Sequence, residues 1–97
     1  MPEYLIGLDP SARRSYEKVA ISTERVRIDR ILQSICVDPV IDDETKFAFR
    51  SERAGLRVYM DAEFWVVYEV VGPGSIVAVN MGFEEEPPRV EREEPLL

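Results

Sequence analysis

The chain predicts an α+β domain: an N-terminal strand and a helical hairpin packed on one face of a mainly antiparallel sheet of four to five strands. Three observations carry this. Two segments near the N-terminus repeat apolar residues at the helical period. Gly55 to Phe83, GLRVYMDAEFWVVYEVVGPGSIVAVNMGF, reads as three short strands in a row joined by two tight turns. The connections are short, which favours antiparallel neighbours in the sheet and an antiparallel pairing of the helices.

Taken in order, Tyr4 to Leu8 is a first strand. Asp9-Pro10 opens a helix, because Asp9 can accept from the free amides of the first turn and Pro10 suits the first helical position. Ala12, Tyr16, Val19 and Ala20 then fall on one face. Ser22 or Thr23 can cap a second helix, whose stripe is Ile28, Ile31, Leu32, Ile35 and Cys36. Asp38-Pro39 ends it, since a residue before proline avoids helical geometry.

After a polar loop at Asp42-Asp43-Glu44, Thr45 to Arg50 alternates, with Phe47 and Phe49 on one face and Lys46, Ala48 and Arg50 on the other. Residues 51–55 turn the chain. Leu56, Val58 and Met60 alternate with Arg57, Tyr59 and Asp61, and Phe64, Val66, Tyr68 and Val70 with Trp65, Val67, Glu69 and Val71. Gly72-Pro73-Gly74 is a hairpin turn, and Ile76 to Phe83 is a mostly apolar strand expected near the sheet centre.

Ninety-seven residues are enough for one packed core, so residues 1–83 are expected to form a single domain. The segment 84–97, EEEPPRVEREEPLL, has prolines, a charge run and no periodicity, and is expected to be a disordered acidic tail. It carries a net charge of -4 of the chain's -7, so the rest of the chain is only mildly acidic. A nucleic-acid binder is usually basic over its domain, so nucleic acid could be met only through a local basic patch. Cys36 is the one cysteine, which excludes an intramolecular disulfide and fits a reducing cytoplasm. It sits on the second helix's apolar stripe and reads as a small buried hydrophobe. There is no histidine, so imidazole is excluded as base or metal ligand, and neither metal nor cofactor is expected. No apolar run approaches the roughly 20 residues of a membrane span.

The opening strand followed by Asp9-Pro10-Ser11-Ala12-Arg13-Arg14, the second helix ending in Asp38-Pro39, and the strand pair LRVYMDAEFWVVYEVV resemble the RelE/ParE superfamily of bacterial toxins from type II toxin–antitoxin systems. The resemblance covers roughly residues 3 to 83 and rests on the order of weak motifs. It implies a curved sheet holding two helices on one side, a cognate antitoxin as partner, and a cytoplasmic toxin. In the members that are endoribonucleases, basic and tyrosine residues on the open side of the sheet cleave mRNA on the ribosome (mRNA interferases). Other members poison DNA gyrase by contact. A third possibility is an inactive homologue acting as a binding module. This chain departs from the ribonuclease pattern: Trp65 stands where an arginine is usual, and Gly82-Phe83-Glu84 where a glycine followed by His-Arg or a tyrosine is common.

Lys46, Arg50 and Arg57 are expected to form a basic surface on the open face, with Arg53 at the turn, able to hold a phosphodiester and offset transition-state charge without a metal. Tyr59 falls on the same face as Arg57 and can orient a base or the leaving oxygen; it is also the candidate general base, with Glu69 second. Arg57, Tyr59 and Arg50 are thus the candidate catalytic residues, and Lys46, Arg53 and Trp65 the candidate substrate-binding ones. The plainer reading makes the cations solvated sheet residues paired with Asp61, Glu63 or Glu69. Trp65, on the same open face, can stack on a base or lie under an antitoxin, or else pack on a neighbouring strand. Arg13, Arg14, Lys18, Arg25, Arg27 and Arg30 give the helices a basic face interleaved with acids, which reads as local ion pairing, or else as a contact for ribosomal RNA. The tail's six glutamates can screen the basic surface or simply aid solubility.

Overall fold

The computed structural model describes residues 4–19, 24–50, 54–83 and 88. The elements run β1 (Leu5–Leu8), α1 (Pro10–Val19), α2 (Glu24–Val37), β2 (Lys46–Ala48), β3 (Leu56–Met60), β4 (Phe64–Gly72) and β5 (Ser75–Phe83). One five-stranded sheet has the order β1-β5-β4-β3-β2. β2 to β5 form an antiparallel meander, and β1 adds parallel to β5, with Leu5 opposite Ser75 and Leu8 opposite Ala78. This is the predicted α+β architecture, with the last strand inside the sheet and β2 shorter than the alternation suggested.

Local chemistry sets the elements. The Ala12 amide donates to Asp9 Oδ1 at 3.0 Å, the N-cap expected of Asp9-Pro10. The candidate caps Ser22 and Thr23 lie outside the described residues. The β4–β5 hairpin closes on Gly72 opposite Ser75, and Gly74 takes a φ of 74°, open to glycine at no steric cost. A β-bulge in β5 makes Val79 an extra residue between the pairs Tyr68–Ala78 and Val67–Asn80. Past it, Met81 still joins Ile76 and Ala78 in the core beneath the helices.

That core gathers Ala12 from α1, Ile28, Ile31 and Ile35 from α2, Phe64, Val66 and Tyr68 from β4, and Ile76, Ala78 and Met81 from β5. Burying each large aliphatic or aromatic member stabilises the fold by about 1.5–3 kcal/mol. Two polar ties join the layers: Ser15 Oγ bonds Asn80 Oδ1 at 3.0 Å, and the Tyr4 amide donates to the Cys36 carbonyl at 3.0 Å. Cys36 is buried, as expected of the stripe. The opposite face of the sheet holds a second apolar cluster of Leu56, Val58, Trp65, Val67 and Val79, flanked by Phe49 and Met60. No helix among the described residues is long and apolar enough to cross a membrane.

Candidate functional site

Register decides which face each candidate takes. β3 and β4 pair so that Met60 opposes Trp65, Val58 opposes Val67, Arg57 opposes Tyr68 and Tyr59 opposes Val66. Residues directly opposite in an antiparallel pair share a face. Tyr68 and Val66 belong to the core under the helices, so Arg57 and Tyr59 lie on the helix side of the sheet. Lys46, opposite Tyr59, lies there too. Lys46, Arg57 and Tyr59 are therefore brought together as expected, but on the face opposite to the one expected, and away from Trp65.

The cause is the turn between β3 and β4. Asp61 Oδ1 accepts the amides of Glu63 at 2.7 Å and Phe64 at 2.9 Å, and the Asp61 amide donates to the Phe64 carbonyl at 3.0 Å. This Asx turn leaves Ala62-Glu63 as a two-residue loop, which sets odd positions of β3 opposite even positions of β4. The Asp-Ala-Glu-Phe sequence was the available signal for it.

On the helix side Lys46 and Arg57 are engaged by the end of α2 and the segment that follows it. Lys46 is 5% exposed, and its Nζ donates to the carbonyls of Ser34 at 2.8 Å and Asp38 at 3.0 Å. A cation there satisfies the orphan acceptors at a helix C-terminus and complements its dipole. Arg57 Nε donates to the Pro39 carbonyl at 2.9 Å, and Nη2 donates to the Ile41 carbonyl at 2.6 Å and Asp42 Oδ1 at 2.9 Å. The buried Tyr68 hydroxyl donates to the same Pro39 carbonyl at 2.6 Å. These two strand residues clamp the chain where Asp38-Pro39 breaks the helix.

Tyr59 donates its hydroxyl proton to Asp61 Oδ2 at 2.9 Å. Burial, then the bond to Asp61 and its charge, push the phenol up to about 12. A phenol held protonated and facing a carboxylate is poorly suited to take a proton at neutral pH. Asp43 organises the entry to β2: its Oδ1 accepts the amides of Thr45 and Lys46, each at 2.8 Å, and these bonds hold its carboxyl below the usual range.

Arg50 is exposed beyond the end of β2 and shares no bond with Arg57, whose partners belong to the α2–β2 connection. Arg53 lies outside the described residues. Trp65 does take the open face, yet it is 1% exposed. Its Nε1 donates to the Phe83 carbonyl at 3.0 Å, and its indole lies over Gly82, the residue opposite it in β5. Packing on the neighbouring strand is thus how Trp65 is held. On the helices, Arg25 pairs with Asp29 at 4.0 Å, and Arg27 pairs with Glu63 of the β3–β4 turn, in keeping with local ion pairing.

The clamp formed by Lys46, Arg57 and Tyr68 around residues 34–42 is a site the sequence reading did not find, because its acceptors are backbone carbonyls that carry no signature in side-chain type. Chemically it fixes a loop. The open face, by contrast, offers an apolar strip edged by Phe47, Phe49 and Met60.

No protein-family model matches the chain, and no curated protein matches it in sequence. Solved structures do match in fold. One is the toxin–antitoxin complex RelBE2 from Mycobacterium tuberculosis, with a TM-score of 0.68 and 14% identity over 84% of this chain and 99% of that one. Another is a YoeB/ParE toxin from Agrobacterium tumefaciens, with a TM-score of 0.68 and 17% identity over 81% and 96%. A third is the heterotetrameric YoeB–YefM toxin–antitoxin complex from Staphylococcus aureus, with a TM-score of 0.64 and 18% identity over 79% and 92%. The chain has the fold of these toxins.

Proposed function

We propose that this chain is the toxin of a type II toxin–antitoxin pair and that its partner is an antitoxin protein. The observation that carries the reading is the extent of the structural likeness: the toxin fold spans 79–84% of this chain and 92–99% of the matched chains. Nearly the whole of the matched toxin fold is thus present in this chain.

The placement of the cations favours action by contact over RNA cleavage through Arg57 and Tyr59. Arg57 and Lys46 bond carbonyls at the end of α2 and just after it, Tyr59 is held protonated, and Trp65, which by the family resemblance stands where an arginine is usual, is buried against β5. A gyrase-type target, bound rather than cut, needs none of these groups as catalysts. An mRNA-cleaving site would have to be built around Arg50 and residues of the open face.

The test is induced expression in a bacterium, following label incorporation into protein and DNA separately. An early fall in DNA synthesis supports a toxin that acts by contact. An early fall in protein synthesis, with mRNA fragments, returns the endoribonuclease reading. No effect on growth or on either incorporation overturns the toxin reading itself.

A further inference from the structure

We propose that the segment from Val37 to Glu44, between α2 and β2, is a docking surface for a partner protein, and that it takes a segment of aliphatic and basic side chains. The first observation is exposure. Val37 is 60% exposed, Val40 56% and Ile41 43%. Single exposed aliphatic residues are ordinary on a protein surface, but these three fall within five consecutive positions. Pro39, between them, is fully buried, so the apolar side chains divide between an inner anchor and an outer face.

The second observation is that this loop is held from beneath. Lys46 Nζ bonds the carbonyls of Ser34 and Asp38, Arg57 bonds those of Pro39 and Ile41, and the Tyr68 hydroxyl shares the Pro39 carbonyl. The Asp43 amide donates to the Lys46 carbonyl at 2.9 Å, which closes the loop at its far end. The backbone acceptors thus turn towards the sheet and leave Val37, Val40 and Ile41 on the outside. Recognition loops are commonly mounted on a rigid scaffold, and a surface ordered in advance loses little entropy on binding. Lys46 and Arg57 are then positioning residues, which act through the loop and touch no partner.

Charge identifies the occupant. From Val37 to Thr45 the chain has four acids and no base. Asp42, Asp43 and Glu44 are exposed beside Ile41, whereas Lys46 is buried and Arg57 is turned to the loop's own carbonyls and Asp42. The rim of the patch is therefore negative. It repels a nucleic acid or an anionic membrane surface. A second copy meeting the same patch about a two-fold axis would set these acids against each other. A protein segment satisfies both features when its aliphatic side chains cover the patch and its lysines or arginines meet the rim. This surface is independent of the toxin reading, which induced expression tests separately.

A random-peptide phage library panned on the immobilised full chain supplies the probe. Enriched peptides are synthesised and titrated by fluorescence anisotropy against the native chain and two variants. Val40→Ser with Ile41→Ser removes the apolar centre, and Glu44→Lys reverses one charge of the rim. All three positions are exposed, so a melting curve should match that of the native chain. Should the double variant melt early, Val37→Ser takes its place. The expected result is a consensus of aliphatic and basic residues, with binding roughly tenfold weaker in each variant. An acidic consensus, peptides that bind the variants as tightly as the native chain, or a selection that enriches nothing overturns the proposal. Sedimentation of the native chain gives the remaining arm: an oligomer that Val40→Ser with Ile41→Ser dissociates means that a second copy occupies the patch, which also overturns it.

Discussion

Gly82→Ala is the sharpest probe of the packing on the open face. A Cβ at position 82 would lie 2.7 Å from Trp65 Cζ2, 2.9 Å from Cε2 and 3.1 Å from Nε1. Carbon atoms in contact prefer about 3.5–4.0 Å, so the methyl must displace the indole or separate β4 from β5. The indole is a rigid ring, 1% exposed and bonded through Nε1 to the Phe83 carbonyl, and it has no free torsion that removes only the clashing edge. Overpacking of this kind costs about 1–3 kcal/mol, and loss of the indole bond adds about 1 kcal/mol. Replacing a strand glycine by alanine returns roughly 0.5–1 kcal/mol of backbone entropy. The net destabilisation is about 2 kcal/mol, which lowers Tm by roughly 8–16 °C in a domain of this size.

Gly7→Ala is the internal control, since a Cβ there meets nothing within 4 Å. It should leave Tm unchanged or raise it slightly. Trp65 is the sole tryptophan, so its emission reports the same site directly and should shift to the red in Gly82→Ala. Pairing Gly82→Ala with Trp65→Phe should restore part of the loss, because a smaller ring leaves room for the methyl. A Gly82→Ala protein that melts within 2 °C of the control, with unshifted emission, would refute the close approach of β5 to the indole.

Three further outcomes follow from the helix side of the sheet. Lys46→Met removes two charge-assisted bonds to the end of α2 and should cost roughly 2 kcal/mol in urea unfolding; unchanged stability with weakened RNA binding would instead make Lys46 a phosphate ligand. Arg57→Ala should cost about 2–3 kcal/mol by the same measurement, and Arg57→Lys should recover little of it, because an ammonium cannot reproduce the fork that bonds Pro39, Ile41 and Asp42. Tyr59 has a folded pKa of about 12 against an ordinary value of 10.0, so its stabilising contribution is whole below pH 10 and is lost as the pH rises towards 12. Tyr59→Phe should accordingly flatten the fall of the urea midpoint between pH 10 and 12, and an identical fall in both proteins would sink that assignment.

Those effects turn on a feature only partly legible in the chain. Short-range signals read well: the Asp9 cap, the stripe Ile28–Ile31–Ile35, the break at Asp38-Pro39 and the Gly72-Pro73-Gly74 hairpin all act within a few residues, where side-chain type dictates backbone geometry. Alternation also grouped Lys46 with Arg57 and Tyr59 correctly, since it fixes which residues of one strand share a face. It does not say which of two faces the helices will cover. Leu56, Val58 and Met60 are as apolar as Phe64, Val66 and Tyr68, so hydrophobicity left the two registers of the β3–β4 hairpin nearly equal.

The tie is broken by Asp61, whose side chain closes a two-residue loop and so sets the parity of pairing. One turn therefore decides whether three polar groups face solvent or the helix layer. With Arg57 and Lys46 turned inward, the carbonyls freed by the end of α2 gain charged donors, and the open face is left with apolar side chains. The loss of the basic surface and the apolar character of the open face are thus two results of the same register.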